Sequence, residues 1–279
     1  MTQSGYVDWH CHLLPGLDDG PATFDESLEI GRILAAAGFR RIYCTPHQIK
    51  GLYAPSVPDV DAAAAELRTR FDRAGIPLTL DTGAEHYLDE YILSLLSEPR
   101  SLGSSRRILL EVPQSGTPVL VQETVFKLVV NNITPIIAHP ERSGLFAQHQ
   151  SPGSSPLTKL LASWNGKLRE KGGKVSTSPA GNLAPGTDLV TTLREMGCLF
   201  QGNIGSFAGR YGDRERRQAL LLLERGAYSC LGSDAHHARD LERWLERGIR
   251  EIERAVGRDA ARRLMGEESP GTAGDSGRA

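Results

Sequence analysis

The stretch Tyr6-Val7-Asp8-Trp9-His10-Cys11-His12 reads as a β-strand, 6–10, that runs out into a pair of imidazoles. Side chains alternate along a strand with a period of two, so His10 and His12 should share one side and Trp9 the other, against a helix. An HxH pair at a strand end can bind one metal ion, but alone it is as often two polar residues in a turn. What lies around it decides. Six more short, mostly apolar runs follow, at 41–44, 77–81, 107–111, 134–138, 198–201 and 227–231, as expected of parallel strands covered on both faces. Helical patterns separate them: 24–37, with Thr23-Phe24-Asp25-Glu26 at capping-box spacing and Gly38 past its end, then 60–74, 119–130, 213–225 and 241–264, the last with a break at Gly257. Six of the seven runs are followed within a few residues by His, Glu or Asp, and the other ends in Gln201. A closed barrel gathers its C-terminal strand ends into one ring, whereas a doubly wound sheet would spread them along an edge. The expected fold is α/β, a seven-stranded (β/α) barrel with its chemistry at those ends.

The chain has 279 residues, of which 39% are hydrophobic and 24% charged, enough for one barrel with a full core. A net charge of −2 gives no electrostatic case for nucleic acid. No apolar run reaches the length of a membrane span, and the N-terminus lacks the basic and apolar regions of a signal peptide. Four cysteines without a CxxC are too few for a disulfide framework, so a cytoplasmic location is expected. Residues 1–265 read as one domain, interrupted at 148–186 by a Ser/Gly/Pro-rich insertion with Lys159, Lys167, Arg169, Lys171 and Lys174 against Glu170 alone. Residues 266–279 read as a disordered tail.

The strand-end residues form a larger set than the HxH pair. Thr45-Pro46-His47, Gly83-Ala84-Glu85, Glu111, Ala138-His139-Pro140-Glu141-Arg142 and Gly232-Ser233-Asp234-Ala235-His236 each close one run, and Asp18-Asp19 follows the first. Five histidines, two glutamates and two aspartates converging in a barrel mouth would repel one another without cations. Mixed imidazole and carboxylate donors suit Mn, Fe or Zn rather than Ca. Several such ions would activate a water and neutralise a phosphoryl group, while arginines supply planar donors. A thiolate route is excluded: Leu17, Lys50, Ile204 and His236 stand six residues after the four cysteines, so no Cys-x5-Arg exists. His86 and His149 read as solvent-exposed bystanders, Trp164 and Trp244 carry little information, and His237 is a weak candidate for a general acid.

DWHCHLLPGLDDG (8–20), TPH (45–47), GAE (83–85), HPER (139–142) and SDAH (233–236), in this order, resemble the polymerase-and-histidinol-phosphatase (PHP) superfamily. Within it the chain is similar to the manganese-dependent protein-tyrosine phosphatases of bacterial capsule and exopolysaccharide operons, the CpsB/CapC type. That resemblance implies a distorted seven-stranded barrel and two or three divalent ions, manganese first, with iron, zinc or cobalt as alternatives. It implies His10, His12, Glu85 and Asp234 around one ion; Glu85, bridging, with Glu111 and His139 around a second; and Asp19, His47 and His236 around a third. Asp18 is the neighbouring alternative to Asp19. Arg142 and Arg239 match positions that contact phosphate. The implied substrate is a phosphotyrosine protein, the tail of a polysaccharide-synthesis tyrosine kinase, with the basic insertion as a docking element. Rival readings are another PHP phosphoesterase, acting on histidinol phosphate or a nucleotide, and a non-catalytic PHP module. Ser143 after HPER, His237 after SDAH and the insertion itself depart from the family pattern.

Overall fold

Pro46 and the pair Gly83-Ala84 interrupt two strands, and those interruptions shape the sheet. The structure, a computed structural model, describes residues 5–89, 92, 99–147 and 188–266. Its strands are β1 (Tyr6–Cys11), β2 (Phe39–Cys44), β3 (His47–Gln48), β4 (Thr79–Thr82), β5 (Glu85–Tyr87), β6 (Arg107–Glu111), β7 (Thr134–Ala138), β8 (Leu199–Asn203) and β9 (Cys230–Gly232). All pairs are parallel, in two ladders, β1-β2-β4 and β3-β5-β6-β7-β8-β9. A proline has no N–H to donate, so the ladder stops at Pro46 and resumes at His47. β3 thus prolongs β2 and β5 prolongs β4; Gly83 N–H to the Cys44 carbonyl (2.8 Å) and Glu85 N–H to the Pro46 carbonyl (3.1 Å) span the gaps. The free edges then meet. Asp234 N–H bonds the His10 carbonyl at 2.7 Å, and His12 N–H bonds the Ala235 carbonyl at 3.1 Å. With the prolonged strands taken as single staves, seven staves form a distorted ring, as expected from the sequence.

The helices are α1 (Phe24–Ala36), α2 (Val57–Ala74), α3 (Pro118–Val130), α4 (Leu189–Glu195), α5 (Ile204–Phe207), α6 (Asp213–Glu224), α7 (Leu241–Val256) and α8 (Arg258–Leu264). Their caps follow the sequence. Thr23 accepts from Glu26 N–H, although Glu26 returns its bond to Ala22 rather than closing the box on Thr23. Ser56 and Asp59 do close a reciprocal box at α2, which starts earlier than its apolar period suggested. Gly257, at φ 83°, separates α7 from α8. The brief α4 and α5 have no apolar period long enough to announce them.

Two apolar clusters result. The larger fills the space between the strands and the helices, with Leu34, Phe39, Phe71, Val125, Leu222 and Leu245 among its members. The smaller draws Val7, Trp9, Tyr43, Leu109, Ile136, Ala138 and Cys230 from the strands themselves and Leu102 from a loop; it contains no helix residue and plugs the ring from inside. Trp9 corrects the expectation that it packs against a helix. Asp8 pairs with Ile42 but Cys11 with Cys44, so β1 carries one extra residue there. That bulge resets the alternation. Trp9, stacked on Tyr43 at 5.0 Å, and His10 both face inward, and Cys11 turns out to the helix layer.

Candidate metal centre

His10 and His12 reach the barrel mouth with their ring orientations fixed from behind. Gln201 Oε1 lies 2.9 Å from His10 Nδ1, and Asp18 Oδ2 lies 2.7 Å from His12 Nδ1. Acceptors at both Nδ1 atoms place the N–H there and leave each Nε2 as a lone-pair donor. The two Nε2 atoms face each other at 3.0 Å. Close passage of β9 makes this possible: a Cβ on Gly232 would lie 2.6 Å from His10 Cβ.

Glu85 sits at the centre. Its Oε1 accepts from His139 Nε2 at 2.9 Å. Its Oε2 lies 3.1–3.3 Å from nitrogens of His47, His10 and His12, yet takes no hydrogen bond, and His47 Nδ1 is likewise buried without one. Asp234 presents Oδ1 to His10 and His12 (3.4 Å each) and to His236 (3.6 Å). Its Oδ2 is occupied by Arg142 Nη1 and Asn203 Nδ2, both at 2.7 Å, with the Tyr211 hydroxyl at 3.5 Å. Asp19 Oδ1 lies 3.3 Å from His236 Nε2 and 3.6 Å from His47 Nε2. Asp18 instead faces away, onto His12 and the backbone N–H groups of Gly20 and His47. His139 (φ 30°) and Asp234 (φ 53°) hold left-handed backbone, a conformation that costs about 1–3 kcal/mol for such residues and is kept where the surroundings enforce it.

All nine residues anticipated as ligands therefore converge. Donor atoms within 4.8 Å of one another group as His10, His12 and Asp234; His10, Glu85 and His139; His47, Glu85 and Glu111; and His12, Asp19, His47 and His236. The electrostatics agree with a site built for cations. Burial alone would raise the Glu85 and Asp234 carboxyls, but the surrounding histidines hold both well below the ordinary range. Burial would lower His10, but Glu85 and Asp234 push it up to about 9. Glu111 is raised, by burial and by Glu85. Two opposed imidazole lone pairs and an orphaned carboxylate oxygen among them are the donors a bound ion would use, so divalent metal fits this chain.

The arginines separate. Arg142 stacks on the Tyr211 ring at 4.5 Å and grips Asp234, which leaves part of its fork open to solvent. Arg239 is exposed on the loop after β9 and makes no hydrogen bond or ion pair among the described residues. His86 corrects its reading as exposed: it is 2% accessible, with Nε2 3.1 Å from the Arg100 carbonyl. His237 is exposed. Trp244 is buried against the α5 side of the core, at 7% accessibility. All four cysteines are buried free thiols whose ionisation burial disfavours, in keeping with their exclusion as nucleophiles. His149, Trp164 and the basic stretch 148–186 lie outside the described residues, as do 267–279 of the tail. The residues behind the donors were not assigned roles from sequence. Gln201 and Asn203 orient His10 and Asp234, and buried Glu141 accepts from Asn203 N–H and the Tyr228 hydroxyl. Two polar side chains at i and i+2 of the apolar β8 were the available signal.

Residues 6–152 and 181–271 match the capsular polysaccharide synthesis family CpsB/CapC. The chain belongs to the CpsB/CapC family. Among the chain's relatives, the tyrosine-protein phosphatase YwqE of Bacillus subtilis (strain 168) is 27% identical, over 90% of this chain and 85% of its own length. The putative tyrosine-protein phosphatase CapC of Staphylococcus aureus is 25% identical, over 82% and 76%. The tyrosine-protein phosphatase CpsB of Streptococcus pneumoniae is 22% identical, over 93% and 94%. A chain from the crystal structures of YwqE and CpsB, described as unique metal-dependent tyrosine phosphatases, superposes with a TM-score of 0.71 at 26% identity, covering 92% of this chain and 90% of that one. Histidinol phosphate phosphatase of Lactococcus lactis, with zinc, L-histidinol and phosphate, gives 0.53 at 13% identity, covering 91% and 95%, which shows a shared fold alone.

Proposed function

We propose that this CpsB/CapC chain is a metal-dependent protein-tyrosine phosphatase. The observation that carries the reading is the meeting of nine metal-type donors with one partly open arginine, Arg142, in a single barrel mouth. His10, His12, Glu85 and Asp234 would hold one ion. Glu85, Glu111 and His139 would hold a second, and Asp19, His47 and His236 a third. Manganese is the first choice, with iron, zinc or cobalt as alternatives. Such ions supply Lewis acidity and an activated water for displacement at phosphorus.

The chain's own groups do the rest. Arg142 offers its free N–H groups to phosphoryl oxygens, and Asp234 keeps the guanidinium in place. Asn203 and Tyr211 hold Asp234 in turn. A phenolate, whose parent acid has a pKa near 10, leaves without a strong general acid, which suits a mouth where His237 is exposed. Arg239, exposed on the loop after the same mouth, is the second arginine expected to meet the phosphate. The substrate is a phosphotyrosine protein, the tail of a polysaccharide-synthesis tyrosine kinase being the expected one, with 148–186 as its docking element. Free, buried cysteines suit the reducing cytoplasm. No helix among the described residues is long and apolar enough to cross a membrane.

The test is phosphate release from a phosphotyrosine peptide and from histidinol phosphate, after chelation and resupply of Mn, Fe or Zn separately. Faster turnover of the peptide is expected. Preference for histidinol phosphate would reassign the substrate, and full activity after exhaustive chelation would remove the metal.

A further inference from the structure

The loop after α5 carries a cation that the scheme above does not use. Arg210 is exposed, and its guanidinium carbon lies 4.8 Å from the ring centroid of Trp244 and 5.8 Å from that of Tyr211. The Tyr211 ring already bears Arg142 at 4.5 Å. One tyrosine is thus shared by two guanidiniums. They differ in commitment: Arg142 is paired with Asp234, whereas the Arg210 guanidinium donates no hydrogen bond and forms no ion pair among the described residues.

Arg210 is nonetheless held. Its backbone N–H bonds the Gly205 carbonyl at 3.0 Å, and a Cβ on Gly205 would meet Arg210 Cδ at 3.4 Å and the Tyr211 ring at 3.2 Å. Gly205 N–H bonds Asn203 Oδ1, and Asn203 anchors Asp234. The segment that fixes the metal-facing carboxylate therefore also fixes Arg210. Trp244, only 7% accessible, is a firm wall for it. A long side chain already confined by two rings gives up less rotamer freedom when an anion arrives, and its planar fork matches paired oxygens. Arg239, predicted from sequence as the second phosphate contact, has neither wall.

Resting on the phosphatase reading, the geometry points to Arg210 as the residue that recognises a second anionic group of the substrate, carried by the same phosphopeptide beside the scissile phosphotyrosine. A carboxylate or another phosphate presents the same acceptor oxygens. Arg142 serves the reacting phosphate and Arg210 the neighbouring charge, with Tyr211 setting their separation.

Three phosphotyrosine peptides that differ only in the residues flanking the phosphotyrosine (alanine, glutamate or phosphoserine) test this with the full-length, metal-loaded protein. The wild type should turn over an acidic peptide with a kcat/KM roughly five- to tenfold above the alanine peptide, mostly through KM, and high salt should shrink the gap. Whichever acidic arm leads names the anion. In Arg210→Met the ratio should fall to about one, and Arg210→Lys should lie between, since a point charge replaces the fork. A wild-type ratio near one, or a ratio that survives in a folded Arg210→Met protein, overturns the inference while leaving the phosphatase intact. No phosphate release from any of the three peptides would overturn the phosphatase reading and this inference with it.

Discussion

Asp234 shows how much of this site depends on the groups that position its donors. Its Oδ2 takes Arg142 and Asn203 so that Oδ1 is the atom left for the histidine cluster. Replacing Asn203 with Ala removes one of these restraints without adding bulk. Losses of outer partners of this kind typically cost 10- to 100-fold in metal affinity or activity. Asn203→Ala should therefore lower kcat by roughly that factor while the circular dichroism spectrum is unchanged; wild-type kinetics would show that Arg142 alone positions Asp234. Cys44 is the opposite case. It is buried in the helix layer, its thiol disfavoured as an anion, and Cys44→Ser should keep most of the phosphatase activity. Loss of activity with metal content intact would reopen a thiolate mechanism. In the layer between strands and helices, Tyr228→Phe strips the donor from Glu141 Oε2 and should cost about 1–3 kcal/mol in urea unfolding, the range for an orphaned buried acceptor.

Strand β1 is the element on which the geometry turns. Its extra residue lets Trp9 fill the ring while His10 and His12 still face the mouth. Trp9→Ala should leave an interior cavity and destabilise by about 3–5 kcal/mol, read from denaturant midpoints. Strand β9 has to pass close for the same reason. A Cβ at Gly232 would fall 2.6 Å from His10 Cβ and 2.8 Å from its backbone nitrogen. Gly232→Ala should push β1 and β9 apart, weakening metal binding in a calorimetric titration more than it weakens folding. Unchanged metal affinity would mean that β1 shifts as a unit at no cost to the site.

At the scale of the whole molecule, the metal donors come from six of the seven staves and from the loop after β1, so ions bound there would tie the ring together. Ligand bound only by the folded state adds about 2.7 kcal/mol at a hundredfold excess over Kd. For a domain of this size that is a rise in Tm of roughly 5–10 °C. Removing metal with a chelator should lower Tm by that amount, and resupplied manganese should restore it; a Tm indifferent to chelation would argue against ions bridging the staves.

The seven-stave alternation, the N-cap of α1, the break at Gly257 and eight of the nine converging donors were legible in the sequence, because each is written in local chemistry. An apolar run that ends on His, Glu or Asp needs no distant partner to be recognised. The tertiary structure alone decided which neighbour does what. Asp18 and Asp19 are indistinguishable by type, and only the approach of His12 on one side and His236 on the other separates them. Trp9 was misplaced because strict alternation assumes a regular ladder, and a bulge is set by the partner strand rather than by its own residues. His86 was misplaced because its ring is buried on the Arg100 carbonyl, a partner that its immediate neighbours in sequence do not reveal. Arg142 and Arg210 share the Tyr211 ring because packing brings the turn after α5 against the segment after β7, and nothing local to either segment records that meeting.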